Sequence, residues 1–198
     1  MEQDNKYFKE SLNRFYGKDL EKLEKDIDYL WDAFCHTEDL WWKNINQITE
    51  VRYVLIAEAP LYGEKRSYIY NPETSGTVFL GLSTVAKLLE LLGHQPTVKS
   101  KHEMLSKMRE IGVVVLDLFP FAFNNVTTYQ YGRLSENIRT SLAHSCSFWF
   151  LKPKLREIFK KREEHLTFGV RYTRLHSFAN GLISSSVPDG ISPKVELA

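Results

Sequence analysis

The sequence predicts an α/β fold in which helices cover both faces of a parallel sheet, and three observations predict it. Arg52 to Ala57 and Val113 to Leu118 are short, nearly continuous apolar runs, as strands buried on both faces require. Segments with apolar residues at three- and four-residue steps lie between and around them, as in Val85, Leu88, Leu89 and Leu92. A third run, Leu166 to Tyr172, completes the order strand, helix, strand, helix, strand, which is the pattern of parallel β–α–β units.

Taken in order, the chain opens with helices over 5–16 and 18–35, split at Gly17. In the second, Leu20, Leu23, Ile27, Leu30, Trp31 and Phe34 form one apolar face. His36 to Asn46, with Trp41 and Trp42, reads as a connector, so residues 1–48 form a helical N-terminal extension. After the first strand, a loop rich in Gly, Pro, Tyr and charge runs from Glu58 to about Gly76. A helix over 80–92 follows and stops at Gly93. Ser100 and Glu103 have capping-box spacing, which starts another helix that ends near Gly112. A second long loop, Phe119 to Gly132, follows the second strand. Helices over 134–146 and 152–163 come next, with Pro153 suited to a first turn. The final stretch of Ser, Pro and Gly reads as loop, with Pro193 to Leu197 as an edge strand.

The 198 residues suit a single domain, and 43% hydrophobic content is ample for one core and excludes wholesale disorder. No apolar run approaches the roughly 18 residues that cross a bilayer, and Met1 to Lys6 is polar and mixed in charge, unlike a secretion signal. Cys35 and Cys146 are far apart and in no metal-binding spacing, so free thiols in a reducing compartment are expected. The expectation is a cytoplasmic protein without membrane attachment. With a net charge of +1, any attraction for phosphate must come from a local patch.

Ligands of parallel α/β sheets bind beyond the carboxyl ends of the strands, where the loops gather. Both long loops start there, and each starts beside a carboxylate: Glu58 directly after the first strand and Asp117 near the end of the second. Each could simply cap its own loop. As a pair facing one cleft they could divide acid, base and water-positioning roles. Pro60 fixes the chain direction, Gly63 permits a turn close to a ligand, and Phe79 offers an aromatic face or a core contact.

The segment Val54-Leu55-Ile56-Ala57-Glu58-Ala59-Pro60, followed by Gly76-Thr77-Val78-Phe79-Leu80-Gly81, resembles the first motif of the uracil-DNA glycosylase superfamily, in the branch with a Glu-Ala-Pro motif. Val113 to Leu118 is similar to that family's next core strand, and the resemblance covers roughly residues 50–125. It implies a three-layer α/β/α sandwich around a mainly parallel sheet of about four strands. It also implies hydrolysis of an N-glycosidic bond after the base is swung into a pocket, with DNA or a nucleobase-containing ligand as partner. By position, Glu58 and the Ala59-Pro60 backbone would hold the attacking water, Phe79 would stack on the base and Asp117 would read it. His176 would stabilise charge on the departing base. Ala57 and Leu61 stand where that family has glycine, and Asp117 where it has asparagine. An ionised Asp only accepts hydrogen bonds, which suits a guanine-like edge better than uracil.

No Cys-x-x-Cys, His-Glu-x-x-His or Gly-x-x-x-x-Gly-Lys motif occurs, so no metal or cofactor is expected in the leading reading. Tyr62, Tyr68, Tyr70, Tyr129 and Tyr131 enrich the two loops in aromatics, for stacking on bases or for packing the loops. Lys65 and Arg66 are placed to grip a phosphate there, with Tyr62 on the substrate side. Lys152, Lys154, Arg156, Lys160, Lys161 and Arg162 read as an outward basic face, either merely solvated or a phosphate track. Two other readings stand beside the glycosylase-like one: a hydrolase holding Mg²⁺ with Glu58 and Asp117, and a non-catalytic module that binds nucleic acid or protein by the 152–162 face.

Overall fold

The computed structural model describes residues 2–74, 100–170, 173–184 and 194–197. The expected helix over 80–92 and Phe79 lie outside the described residues. Helix α1 spans Glu2–Tyr16 and closes at Gly17, whose N–H donates to Asn13 O at 2.9 Å. Helix α2 runs unbroken from Leu20 to Asn46.

The expected connector over 36–46 is therefore helix. Its buried stripe continues through Phe34, Thr37, Trp41 and Ile45 at three- and four-residue steps, and the polar run Thr37-Glu38-Asp39 disguises that period in the sequence. The polar residues are used along the helix surface: the Trp42 indole donates to Glu38 at 3.1 Å and Lys43 to Asp39 at 2.6 Å, both one turn apart.

Strand β1 (Val51–Ala57) lies between β2 (Val113–Asp117) and β3 (Arg162–Val170), and β4 (Lys194–Leu197) follows β3 at the edge. All three pairings are parallel, so the mixed α/β class with a parallel sheet is observed. Strand β3 starts earlier than the run 166–172, whose last two residues lie outside the described ones. Its first half, rich in charge from Arg162 to His165, is largely exposed, and only Phe168 to Val170 are buried. Helix α3 (Lys101–Glu110) starts on the expected cap, with Glu103 N–H donating to Ser100 Oγ at 3.1 Å. Gly112 then turns the chain into β2 at φ 75°, where a Cβ would stand 2.4 Å from Glu50 O; only glycine fits.

Helix α4 (Glu136–Cys146) passes through a π turn, Ser147–Leu151, into α5 (Lys152–Lys160). The end of the chain holds a further helix, α6 (Thr173–Ser184), where the composition suggested loop. Leu175, Ala179, Leu182 and Ile183 are buried at helical steps, and that period outweighs the local Ser and Gly content.

On the basic segment, Arg156, Lys160 and Arg162 are exposed as expected, but Lys154 is not. Lys154 is only 2% exposed, because its ammonium lies 3.8 Å from the Phe150 ring centre and 4.9 Å from that of Trp41 while pairing with Glu38. Lys161 donates to Ile48 O at 2.8 Å, Arg162 to Phe159 O at 2.7 Å, and Lys160 pairs with Glu157 at 3.2 Å. Of this segment's basic residues, Lys154 alone is buried.

On the side of β2 away from β1, the backbone groups of Val115 are met by side chains. Val115 N–H donates to Tyr70 Oη at 2.5 Å, and Val115 O accepts from Tyr70 Oη at 3.1 Å and Trp41 Nε1 at 3.0 Å. An exposed edge offers such groups to another chain; here a phenol and an indole satisfy them. Among the described residues, no helix is long and apolar enough to cross a membrane. Both cysteines are free, Cys146 buried and Cys35 half-buried.

Candidate functional site at the strand ends

The sheet order β2-β1-β3 takes the chain from β1 to a neighbour on one side and then back across β1 to the other. Such a reversal opens a crevice beyond the carboxyl ends of the strands. The two acids expected there are neighbours. Asp117 pairs in register with Ala57, the residue before Glu58. The ladder continues past the strands, with Leu118 N–H donating to Ala57 O and Phe119 N–H to Glu58 O, each at 3.0 Å.

Their environments differ. The Glu58 side chain is 11% exposed and lies 3.9 Å from Arg139 Nη1 of α4. Asp117 is 2% exposed and accepts from Tyr68 Oη at 3.1 Å through Oδ2. Its Oδ1 is buried with no hydrogen-bond partner among the described residues. Burial drives the Asp117 pKa up to about 7, although the nearby Lys154 ammonium and the Tyr68 hydrogen bond act in the other direction. Close to neutrality this carboxyl is thus partly protonated, and in that form it can both donate and accept. Tyr131 also has a buried hydroxyl without a hydrogen-bond partner among the described residues. Its pKa is raised first by burial, and the charges of Cys146, Glu58 and Asp117 add to the effect.

Above the strand ends the two loops face each other across a cavity of about 460 Å³. Tyr62, Gly63, Lys65 and Ser67 line it from the first loop, Asn124 and Asn125 from the second. Gly63 sits at φ 64°, a turn that favours glycine. The Tyr29 hydroxyl of α2 accepts from Gly63 N–H at 2.9 Å and from Asn124 Nδ2 at 2.6 Å, which ties both rims to one phenol. One turn earlier, Asp26 accepts from Tyr16 Oη at 2.6 Å and from Thr128 N–H at 2.8 Å, fixing the second loop further along. Lys101, at the start of α3, donates to Tyr68 O at 2.6 Å and Thr74 Oγ1 at 2.7 Å. Burial pulls that ammonium down to about 8.

The residues expected at the site thus separate into groups. Tyr62 and Lys65 line the cavity. The Tyr62 hydroxyl donates to Asp32 at 3.1 Å and lies 3.1 Å from His36 Nδ1; burial and the Asp32 bond push its pKa up to about 12. Arg66 is exposed, 3.3 Å from Asp32, with its guanidinium 6.0 Å from the Tyr62 ring centre. Ala59 and Pro60 are buried beneath the loop. Neither Glu58 nor Asp117 lines the cavity between the two loops. His176 falls on α6, and its side chain lies outside the described residues. Sequence reasoning missed Tyr29, Asn124 and Arg139. The signal available was the pairing of a helical Tyr and Asp at a three-residue step, Asp26 and Tyr29, on the rim of an otherwise apolar face.

No family model, curated protein or solved structure matches this chain. Functional argument therefore rests on the site. Among the described residues no group of three or more His, Cys, Asp or Glu side chains is placed to hold a metal ion.

Proposed function

We propose that this chain is a divergent uracil-DNA-glycosylase-like protein, working in the cytoplasm, that binds a nucleobase in DNA or in a related nucleotide and hydrolyses its N-glycosidic bond. In this reading the sheet is the middle layer of a three-layer α/β/α sandwich. The observation that carries it is the adjacency of two acids of different character at the ends of neighbouring parallel strands. Glu58 keeps an arginine beside it and is the water-positioning group. Asp117, buried and with its pKa raised to about 7, can both donate and accept in its protonated form, with Oδ2 already accepting from Tyr68. That is the hydrogen-bonding repertoire of the asparagine found in the family it resembles, and it supports a base-reading role. The cavity between the loops, with Tyr62, Lys65 and Asn124 on its walls, admits the nucleotide, and Lys65 and Arg66 meet its phosphate. Phe79 and His176 keep their assigned roles of stacking on the base and of stabilising charge on it as it departs.

The test is direct. Oligonucleotides carrying uracil, hypoxanthine, xanthine or oxidised guanine are incubated with the protein and assayed for alkali-labile abasic sites. Product is expected from at least one, with Glu58→Gln slower by roughly a hundredfold or more, as for loss of a general base, and with circular dichroism establishing that the variant is folded. A well-folded sample that yields no abasic site from any of the four overturns the catalytic reading.

A further inference from the structure

A second cavity has aromatic rings on half of its lining residues, beside Cys35 and Pro153. It holds about 410 Å³ and is lined by Trp31, Phe34, Trp42, Trp149 and Phe150. The chain has four tryptophans, and three of them face this one space; the fourth, Trp41, packs edge-on against Trp42 at 4.9 Å. The polar rim is acidic: Asp4, Glu38 and Asp39 line it, and no basic side chain does so among the described residues.

Aromatic faces carry negative potential and attract cations, and the protein already uses this shell in that way. The Lys154 ammonium sits 3.8 Å from the Phe150 ring centre, from the buried side. The carboxylates keep their charge but have much of their hydrogen-bonding capacity committed. Glu38 accepts from the Trp42 indole at 3.1 Å and pairs with Lys154, and Asp39 accepts from Lys43 at 2.6 Å. A primary ammonium entering here would leave water without finding three free acceptors, which is costly. A quaternary ammonium has no N–H to satisfy and loses nothing on that account.

We infer that this cavity binds a small free quaternary ammonium solute, its methyl groups against the tryptophan rings beside the acidic rim. The volume accepts such a solute whole. Neither strand-end acid lines this cavity, so its occupancy is read separately from the glycosidic activity.

Because three tryptophans line the cavity, the intrinsic fluorescence of the full chain reports occupancy. Titration with tetramethylammonium chloride and with choline chloride is expected to give saturable changes with dissociation constants on the order of 1 mM or lower. The neutral isostere 3,3-dimethylbutanol and the primary ion n-butylammonium, at matched ionic strength, are expected to bind at least about tenfold more weakly. Trp31→Leu is expected to weaken choline binding by roughly tenfold and Trp31→Phe, which keeps an aromatic face, by much less. Circular dichroism on both variants establishes that they are folded. If Trp31→Leu does not fold, the comparison of choline with its neutral isostere on the unaltered chain decides alone. Equal responses to choline and to the isostere, or no saturation with either quaternary ion, overturn the inference. So does binding confined to phosphatidylcholine vesicles in a co-sedimentation assay, since a lipid head group is not a free solute.

Discussion

The Tyr68 hydroxyl donates to Asp117 Oδ2 at 3.1 Å in a setting that leaves the carboxylate only 2% exposed. The bond favours the ionised form, yet burial outweighs it and lifts the pKa from 3.8 to about 7. Between those two values the folded protein keeps a proton that the unfolded chain has lost, so stability falls as pH rises. The contribution is fully present below the unfolded value and is lost as pH passes through the folded one. Thermal melts from pH 4 to pH 8 are therefore expected to show a falling midpoint attributable to this group. Asp117→Asn, with no proton to lose, should flatten that segment of the curve. A variant whose melting temperature tracks the parent's at every pH would assign the slope to other groups.

Lys154 and Glu38 make a second, sharper case. With Lys154 2% and Glu38 18% exposed, removing either partner leaves a poorly hydrated charge, at a cost of about 3 kcal/mol or more. Lys154→Met and Glu38→Gln are each expected to lower stability by that order in urea titrations. The double variant, which leaves neither charge, should recover more than half of the summed loss. Simple additivity of the two would mean that the pair is hydrated and of little consequence.

Much of the framework was legible because it rests on local apolar patterns. Val113 to Asp117 is a strand on sight, and the Ser100 cap of α3 follows from residues three apart. What was not legible depends on contacts distant in sequence. Lys154 reads as surface charge until α2 brings Glu38 and Trp41 to it across more than a hundred residues. The continuation of α2 past Cys35 was hidden by the same polar residues that later prove to be its partners. At the site, the strand-end position of Glu58 and Asp117 could be read from the pattern alone. That Asp117 would be sealed under Tyr68, with Tyr29 joining the two loops above, could not, since no local periodicity marks a phenol that bonds to two loops.

Tyr29 supplies a prediction about the cavity itself. Its hydroxyl is the acceptor for Gly63 N–H at 2.9 Å and Asn124 Nδ2 at 2.6 Å, so Tyr29→Phe deprives both rims at once. The stability cost should be about 1–2 kcal/mol, as for one or two partly buried hydrogen bonds. The larger effect is expected in hydrogen exchange, with faster exchange at Gly63 and along 124–128 while amides of β1 and β2 keep their protection. Unchanged exchange in both loops would show that packing alone holds them together.

The last prediction concerns the backbone of Val115 in β2. Tyr70 Oη is acceptor to Val115 N–H at 2.5 Å and donor to Val115 O at 3.1 Å. In Tyr70→Phe the carbonyl still has the Trp41 indole at 3.0 Å, but the N–H is left buried without its acceptor. Such a group costs about 1–3 kcal/mol, and the loss should appear in full in a denaturant titration. The consequence for association is more specific than the loss of stability. Once local opening exposes it, an unpaired N–H beside Val113, Val114, Val115 and Leu116 becomes an apolar template for strand pairing. Tyr70→Phe is therefore expected to aggregate on mild warming in a concentration-dependent way, below the temperature at which its helices melt. Trp41→Phe should do so less, because it removes only one of two donors from the carbonyl and leaves the N–H bonded. If both variants stay monomeric up to their melting points, the phenol serves the packing of the first loop and not the protection of the sheet.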